Sequence, residues 1–550
     1  MRRMTAILLI LVWCVAGPTR AVDFAGGTGE PNDPCRIATA EQLNAIGASS
    51  QWWGKHFRLI ADIDLSAYRG TEFHPLGYWR SDKDNVPFTG VFDGGGHSIS
   101  NFQWRCLDRS YVGLFGYVSG PSAAIRNLTL VDARVNVREG GNVACLVGYL
   151  RGGTLMACST RECEVVVQAG TNIGSLAGWV QDANSFDCTV HDDIVQVAKG
   201  SCIGSMAGNI QTSKFERCRV EGATVWSVEG TEIGGLAGRC EGSTLTDCHA
   251  TADVAGAANV GGLAGTCRSV ITDCSAGGSA QGNTCVGGLM GKDLAGGSRG
   301  GPAIVSKIAR CFAETEVVGG SSVGGLLGSN SYMSIESCCA SGSVAGGDLV
   351  GGLVGKNDAA IVNCYATGSV TGSNFGSVGG LVGRNDRTIT NCYSAGNVSA
   401  GRNGGLVGRC ENPKDVVACF WDLQTSGQTA SEGGLGKTTT QMHLANTFLV
   451  WATGGNEGVW TIDDGVDYPR LWWEKRAGEV IRMASLSGTG TPDDPYLIYT
   501  AEEFNRVGAM TPDLGRCFRL MADIDLADFN EVVINLVGSK AAPFRGVFDG

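Results

Sequence analysis

The hydrophobic and polar positions of this chain alternate in short runs that end in turn residues. In the run from Ile361 to Val370 (IVNCYATGSV), strand-forming residues occupy alternate positions. Between about residues 110 and 420, no stretch of ten or more residues has the spacing of an amphipathic helix. Each unit is therefore predicted to be a strand, a turn, a strand, a turn and a short strand. This excludes helical solenoids and the leucine-rich horseshoe.

One short motif, Val350 to Gly355 (VGGLVG), returns along the chain at nearly constant spacing. Its copies are 25 to 37 residues apart, and a period in this range indicates a solenoid, a propeller or another array. A propeller needs about 40 residues per blade, more than these intervals supply. With the last glycine as marker, the copies end at Gly116, Gly148, Gly178, Gly208, Gly238, Gly265, Gly291, Gly328, Gly355, Gly383 and Gly408.

Each copy holds one large apolar residue among glycines, and stacked coils would bring these side chains into an inward column. The glycines suit places where backbones approach closely or bend. The sequence therefore predicts an all-β fold, a right-handed parallel β-helix of about eleven coils of 25–32 residues with short helical caps. At about 4.8 Å per coil, the array would be about 50 Å long. The apolar column consists of Leu146, Leu176, Met206, Leu236, Leu263, Leu289, Leu326, Leu353, Leu381 and Leu406.

A cysteine follows the marker by 9 to 11 residues in most units and predicts a second column. Small, buried, apolar thiols in the coil interior are the more economical interpretation. The sequence also allows individual disulfides within this column, because in-register strands set Cα atoms about 4.8 Å apart, a distance that a disulfide tolerates. This structural ladder consists of Cys158, Cys188, Cys218, Cys248, Cys274, Cys311, Cys338, Cys364, Cys392 and Cys419.

Two features depart from the regular unit. Cys240 and Cys267 each lie two residues after a marker glycine, outside the ladder, and form the best candidate for a disulfide. Residues 292–307 form an insertion that must loop out from the rod. Loops on a rigid scaffold often carry binding residues, but a tolerated insertion costs little and is the simpler explanation.

These units resemble the GLUG motif, named from its Gly-Leu-any-Gly core, over roughly residues 110 to 420. GLUG repeats occur in arrays in bacterial exported and surface proteins, including the non-catalytic part of some IgA-specific metallopeptidases. The resemblance implies an architecture and a location. It implies no chemistry, since none is assigned to the motif.

Residues on either side of the array have the character of caps. Thr39 and Gln42 form a capping box, so a short helix is predicted within an N-terminal cap, residues 22–110. The array is assigned to residues 111–420, and an aromatic-rich C-terminal cap to residues 421–486. Such atypical ends protect the edge strand and interior of a solenoid.

The beginning of the chain is repeated near its end. Gly488 to Pro495 (GTGTPDDP) matches Gly27 to Pro34 (GTGEPNDP), and Phe518 to Leu526 matches Phe57 to Leu65 at the same offset of 461 residues. Residues 487–550 are therefore predicted to start a second β-helix, truncated here, whose further coils would belong to a longer product.

Residues 1–21 indicate a secretory signal peptide. Arg2 and Arg3 precede an apolar run, and small residues precede the preferred cleavage site after Ala21. No later stretch is long enough to cross a bilayer as a helix. The protein is therefore expected to be secreted or at the cell surface.

Composition narrows the range of partners. Glycine contributes 84 of 550 residues, as expected when every coil contains turns. The formal net charge of −12 disfavours nucleic acid and anionic membranes as partners. A surface glycan or a protein remains as a candidate ligand.

Paired acids are the strongest candidates for chemistry. Asp62 and Asp64 share one predicted strand face, and Asp523 and Asp525 repeat the pair. Because the pair recurs in both cap sequences, a structural or calcium-binding role is favoured over catalysis. The six histidines form no His-Glu-x-x-His zinc motif, and no cofactor is predicted.

The sequence therefore predicts a non-enzymatic, exported rod that acts as an adhesin-like or stalk module at a bacterial surface. A carbohydrate-active β-helix enzyme, either a polysaccharide lyase or a glycosidase, is the first alternative and would need acids repeating on one outward column. A spacer for a catalytic domain beyond residue 550 is the second.

Overall fold

The structure is a computed structural model that describes residues 23–294, 306–399, 403–452, 458–482, 486–509, 515–526, 537 and 543–550. The predicted signal peptide and most of the predicted insertion lie outside the described residues.

The described strands stack into a parallel β-helix of about 14 turns. This confirms the predicted fold class. The turns outnumber the eleven predicted coils because the chain already coils before the first marker glycine. Cys35–Ile37 pairs in parallel with His56–Leu59, which pairs with Val91–Asp93, and this strand pairs with Ala124–Arg126 of the array.

One sheet of 23 strands contains two columns. The marker column, which follows the buried leucines, consists of Phe115–Ser119, Val147–Arg151, Ala177–Gln181, Ala207–Gln211, the first halves of Ala237–Thr246 and Ala264–Thr272, Met290–Asp293, Leu327–Asn330, Val354–Asn357, Val382–Asn385 and Val407–Cys410. The column before the cysteines consists of Cys35–Ile37, His56–Leu59, Val91–Asp93, Ala124–Arg126, Thr154–Met156, Asn184–Phe186, Lys214–Glu216, the second halves of Ala237–Thr246 and Ala264–Thr272, Lys307–Ala309, Ser334–Glu336, Ile361–Val362, Ile389–Thr390 and Val416–Val417.

The other sheet has 27 strands, again in two columns. The flank column, which follows the cysteines, consists of Ile63–Asp64, Ser98–Ser100, Thr129–Val131, Ser159–Arg161, Thr189–His191, Arg219–Ser227, His249–Ala255, Ser275–Gly287, Phe312–Ala313, Cys339–Ala340, Tyr365–Ala366, Tyr393–Ser394, Phe420–Asp422 and Leu435–Lys437. The strands that lead to the next marker are Gln103–Asp108, Arg134–Val143, Glu164–Ile173, Ile194–Gly204, Thr231–Gly234, Ala258–Gly261, Glu316–Gly324, Val344–Ala345, Asp348–Gly351, Val370–Thr371, Val378–Gly379, Val398–Ser399 and Asn403–Gly404.

The remaining elements are short. The α-helices are Ala40–Gly47, Leu423–Ser426, Thr439–Met442 and Ala501–Ala509, and the 3-10 helices are Ser50–Trp52, Pro413–Asp415, Ala445–Ala452 and Trp472–Glu474. Outside the two large sheets, the strands are Tyr78–Ser81, Asp84–Val86, Trp460–Ile462, Arg470–Leu471, Glu479–Val480, Tyr496–Ile498, Cys517–Leu520 and Val547–Asp549.

A single left-handed residue turns the chain into the flank column in eleven coils. Its φ lies between 50° and 57°, a conformation that asparagine and aspartate tolerate better than most residues. Six of the eleven are Asn or Asp, so the corner is partly visible in the sequence. These corner residues are Asn127, Ala157, Asp187, Arg217, Asp247, Asp273, Arg310, Ser337, Asn363, Asn391 and Ala418.

The marker motif packs as predicted. All ten residues of the apolar column are at most 1% exposed. A Cβ at Gly352 would lie 2.1 Å from the carbonyl oxygen of Gly380 and 3.0 Å from the Cβ of Ala366. Since real side chains do not approach so closely, the glycines are required by the spacing of the coils.

The N-terminal helix Ala40–Gly47 begins at the predicted capping box. The Thr39 hydroxyl accepts from the Gln42 amide, and the Gln42 side chain accepts from the Thr39 amide. Leu43 and Ile46 are fully buried in the main core, which ties the helix to the first turns.

The segment after the array forms a strap along the side of the rod. We define the strap as residues 439–452 and 458–482. Its apolar residues share one buried cluster with four outward-facing residues of the flank column, Cys339, Tyr365, Tyr393 and Phe420. The strap therefore covers the flank of successive turns, while Leu435–Lys437 pairs with Phe420–Asp422 and extends the sheet.

Residues beyond the strap repeat the order of the first turns. Tyr496–Ile498 and Val547–Asp549 flank Cys517–Leu520 in a parallel three-stranded sheet, and the helix Ala501–Ala509 follows the first strand. The assignment of residues 487–550 to a second β-helix stays a prediction.

Candidate functional site

The cysteine ladder forms a chain of hydrogen bonds through the interior. All ten cysteines are at most 1% exposed. From Cys248 to Cys364, the backbone amide of each ladder cysteine donates to the thiol sulfur of the ladder cysteine in the next coil, at 3.3 to 3.4 Å. Each of these sulfurs also lies close to the carbonyl two residues before it, as in Cys364 and Val362 at 3.1 Å.

This chain gives the cysteines a structural role. The left-handed corner leaves a buried amide without a strand partner, and the sulfur of the next coil accepts from it. Burial raises the pKa of the Cys338 and Cys364 thiols well above the usual range, which keeps them neutral. All ten ladder thiols are enclosed in the coil interior, out of contact with solvent, so a structural role accounts for the ladder.

Cys240 and Cys267 are directly opposite each other on neighbouring parallel strands. Both thiols are free and fully buried in the described structure. Their register is compatible with a disulfide, and the bond stays a prediction.

Sequence reasoning missed a buried asparagine ladder in that same column. Asn330 donates from Nδ2 to Oδ1 of Asn357 at 2.9 Å, and Asn357 donates in the same way to Asn385 at 2.8 Å. Each asparagine lies two residues after a marker glycine, the spacing that singled out Cys240 and Cys267. The recurrence of asparagine at this position is the sequence signal that could have revealed the ladder.

The predicted calcium ligands of the first cap are occupied by protein donors. Asp62 accepts from the Ser98 amide at 2.8 Å, and Asp64 accepts from the Ser66 amide at 2.9 Å and from Asn101 Nδ2 at 2.8 Å. The bonds from Ser98 and Asn101 join neighbouring turns, which is a structural use of the carboxylates.

The second pair, Asp523 and Asp525, lies in the described stretch 515–526. Within the described ranges, no three His, Cys, Asp or Glu side chains are grouped to hold a metal ion. Calcium binding at either pair stays a prediction.

Asp193 is one of three aspartates that are buried in the described residues, and the sequence does not single it out. Asp193 is fully buried, accepts from the Cys163 amide at 2.8 Å and bonds the Ser175 hydroxyl. Burial raises its pKa to about 6. The sequence offered no signal, since Asp192 beside it is exposed and of the same type.

The strap is fixed to the rod by three tryptophans that reach the corners of the coils. Trp451 Nε1 donates to the Ala418 carbonyl at 2.7 Å. Trp460 Nε1 donates to Oδ1 of Asn363 at 3.3 Å, and Trp473 Nε1 donates to the Ser337 carbonyl at 2.9 Å. Packing against the rod thus accounts for Trp460 and for the nitrogen edge of Trp473.

An open cleft of about 460 Å³ lies where the strap meets the flank column. We call it the strap cleft. It is lined by Phe312, Glu314, Cys339, Ser341, Tyr365 and Thr367 of the rod, and by Arg470, Trp473, Glu474 and Arg476 of the strap. Its volume is within the range of small-molecule sites.

A fixed polar network forms one wall of the strap cleft. The Tyr365 hydroxyl donates to Glu474 Oε2 at 2.9 Å, and Glu474 Oε1 accepts from the Leu471 amide at 2.8 Å. Arg470 Nη1 lies 3.4 Å from the Tyr365 hydroxyl and pairs with Asp467. Burial raises the pKa of Tyr365, so the phenol remains a neutral donor.

The comparisons with known proteins agree with the repeat. The GLUG motif is matched at residues 346–371 and 376–399, within two successive turns of the rod. The chain carries GLUG repeats. In these two units, the Gly-Leu pair that recurs along this chain corresponds to the close approach of Gly352 to Gly380 described above.

Two relatives share part of this sequence. A protein described as a Gly-rich membrane protein of Evansella cellulosilytica is 38% identical over 133 residues, 24% of this chain and 14% of that protein. Halomucin of Haloquadratum walsbyi is 34% identical over 117 residues, 21% of this chain and 1% of halomucin. The similarity therefore spans only a small part of each relative.

A crystal structure named as an immunoglobulin A1 protease of Bacteroides ovatus aligns with 82% of this chain and 95% of its own, at 17% identity. Its TM-score of 0.19 is too low to support an argument about fold or activity. Separately, no helix in the described part of the GLUG chain has the length and apolar character needed to span a membrane.

Proposed function

We propose that this chain is an exported, non-enzymatic GLUG rod that acts at a bacterial surface as a stalk with an adhesin-like binding face. The observation that carries the proposal is the continuous, in-register stacking of about 14 turns around one core. Stacked coils with filled interiors give a stiff, elongated body, which is suited to holding a binding surface away from an anchor.

Two further observations support this role. The relatives are described as a Gly-rich membrane protein and as halomucin, and in both the similar region is a small part of a larger protein. The strands after the strap repeat the strand order of the first turns, which suits a tandem arrangement of rods.

The outer face of the marker column is also that of a solvated rod. Lys356 pairs with Asp358 at 2.6 Å and Arg384 with Asp386 at 2.8 Å, so a cation of the strand is paired with an acid directly after the strand. Such partly exposed pairs contribute little stability but keep this face of the rod hydrated.

The proposal is tested on the full chain by electron microscopy and by immunogold labelling of the native cells. The array should appear as a rod about 65 Å long, from about 4.8 Å per turn, and the label should be outside the cell envelope. Label confined to the cytoplasm would contradict the proposal. Cleavage of a polysaccharide by the purified chain would instead favour the enzyme alternative.

A further inference from the structure

We propose that the strap cleft binds an uncharged saccharide, one ring of which lies against Trp473 and Phe312. This deepens the proposed function, because it names the ligand class of the rod. It rests on the proposed function in one respect, namely that the site binds its ligand without catalysis. The argument depends on the shape of the flank column, the polar network and the balance of charge.

The cleft exists because the aromatic column is interrupted. Phe312, Cys339, Tyr365 and Tyr393 are stacked in register on successive turns. Tyr365 and Tyr393 lie face to face, with ring centroids 5.0 Å apart and planes 6° apart. The short Cys339 side chain stands where a ring would continue this stack, so a hollow remains between Phe312 and Tyr365.

Trp473 borders the hollow from the strap. Its indole nitrogen is tied to the Ser337 carbonyl, so the ring is held in one place, and the residue is only half-buried. A fixed, partly exposed aromatic face is suited to the apolar C–H face of a sugar ring, since an aromatic ring combines large contact area with few rotatable bonds.

Polar groups around the hollow are suited to hydroxyl groups. Ser341 and Thr367 supply side-chain hydroxyls at the rim, and Arg476 is 65% exposed there. Glu474 and Arg470 are only 11% and 17% exposed and are held by their own partners, so they need little reordering on binding.

The charges in the cleft favour a neutral ligand. Two carboxylates, Glu314 and Glu474, face two guanidinium groups, Arg470 and Arg476. An anionic ligand would meet the acids and a cationic ligand the arginines, while a polyhydroxylated one can use both kinds of partner.

The geometry indicates binding without hydrolysis. Glycoside hydrolysis needs two carboxyl groups free to exchange a proton or attack the sugar. Both oxygens of Glu474 are already bonded, one to the Tyr365 hydroxyl and the other to the Leu471 amide.

The experiment is saturation-transfer NMR on the full chain with cellobiose, lactose and N,N′-diacetylchitobiose, each titrated to about 10 mM, a range that detects weak affinities. At least one should bind saturably and remain intact. Cellobiose and lactose represent neutral glycans built from plain hexoses, and N,N′-diacetylchitobiose represents those built from N-acetylated sugars. Comparing them shows which of these two classes binds. Absence of binding by all three would overturn the proposal.

Two variants locate the site. Trp473→Ala removes the stacking face, and Ser341→Trp fills the cleft from its exposed rim without removing any packing. Both should weaken binding at least tenfold. Trp472→Ala is the matched control, because Trp472 is adjacent, 54% exposed and outside the cleft. Unchanged binding by correctly folded Ser341→Trp would overturn the assignment.

The outcomes separate this inference from the proposed function. A rod at the cell surface that binds none of the three sugars would leave the stalk intact and refute the cleft. Hydrolysis of a bound sugar that Ser341→Trp abolishes would keep the site and refute the non-enzymatic role.

Discussion

The backbone amide of Cys338 donates a hydrogen bond to the thiol sulfur of Cys364 in the next coil, across 3.4 Å. The same contact recurs along the ladder, which explains why a sulfur, rather than any small apolar group, occupies the position. An alanine there would fill part of the space but could not accept from the amide.

Cys364→Ala is therefore expected to destabilise the rod by about 1–3 kcal/mol, the cost of an unsatisfied buried donor, with a further loss from the cavity. Cys364→Ser keeps an acceptor and should lose less. The measurement is the shift in the chemical-denaturation midpoint. Cys106→Ala, half-buried and outside the ladder, is the control. Equal losses for Ser and Ala would show that the sulfur acts only as a filler.

The glycines of the marker motif should be intolerant of any side chain. In Gly352→Ala, the new Cβ would meet the Gly380 carbonyl at 2.1 Å, so the coils must separate, and a loss of about 3 kcal/mol or more is expected. Gly277→Ala is the matched control within the array, because its Cβ would meet only the Thr251 side chain, at 3.7 Å. The measurement is the melting temperature of both variants, which should fall for Gly352→Ala and stay nearly unchanged for Gly277→Ala. A similar melting temperature for both would argue against the steric explanation.

The repeat was readable because stacking imposes the same demand at the same place in every coil. Gly352 and Leu353 recur for that reason, and so do the ladder cysteines. The first turns were not recognised as coils, since strands such as His56–Leu59 lack the glycine marker although they pair in the same way. Backbone pairing leaves a weaker trace in sequence than side-chain packing does.

The candidate site was harder to infer because it joins residues far apart in sequence. Tyr365 and Glu474 are 109 residues apart yet bonded. The pattern of apolar and polar residues around Tyr365 does not show whether the outer face of the flank column is exposed to solvent or covered by the strap. The position of Trp473 next to Phe312 depends on how the strap folds back, which the local sequence does not show.

The strap should detach when its anchors are removed. Trp451 is 1% exposed, lies against Phe448 and donates to the Ala418 carbonyl. Trp451→Ala is expected to cost about 3–5 kcal/mol and to expose the flank column, whereas Trp451→Phe should lose only the hydrogen bond, about 1 kcal/mol. Hydrogen exchange of residues 458–482 and binding of a hydrophobic dye report the opening. Unaltered exchange in Trp451→Ala would show that the strap is held elsewhere.

Asp193 should make the stability of the rod depend on pH. Burial raises its pKa to about 6 from 3.8, so the folded chain binds the proton more tightly than the unfolded chain. The contribution of Asp193 to the free energy of unfolding is therefore greatest below about pH 4 and is lost as the pH rises through about 6. The loss between pH 4.5 and 7.5 should be about 2 kcal/mol.

The test of this pH dependence compares Asp193→Asn with Asp192→Asn. Both remove one carboxylate, but Asp192 is exposed, so the two variants share the change in net charge and differ in burial. Asp193→Asn keeps an oxygen to accept from the Cys163 amide and should gain about 2 kcal/mol relative to the unmodified chain between pH 4.5 and 7.5. Asp192→Asn should follow the unmodified chain. Parallel curves for all three proteins would mean that the Asp193 carboxyl titrates as an ordinary acid despite its enclosure.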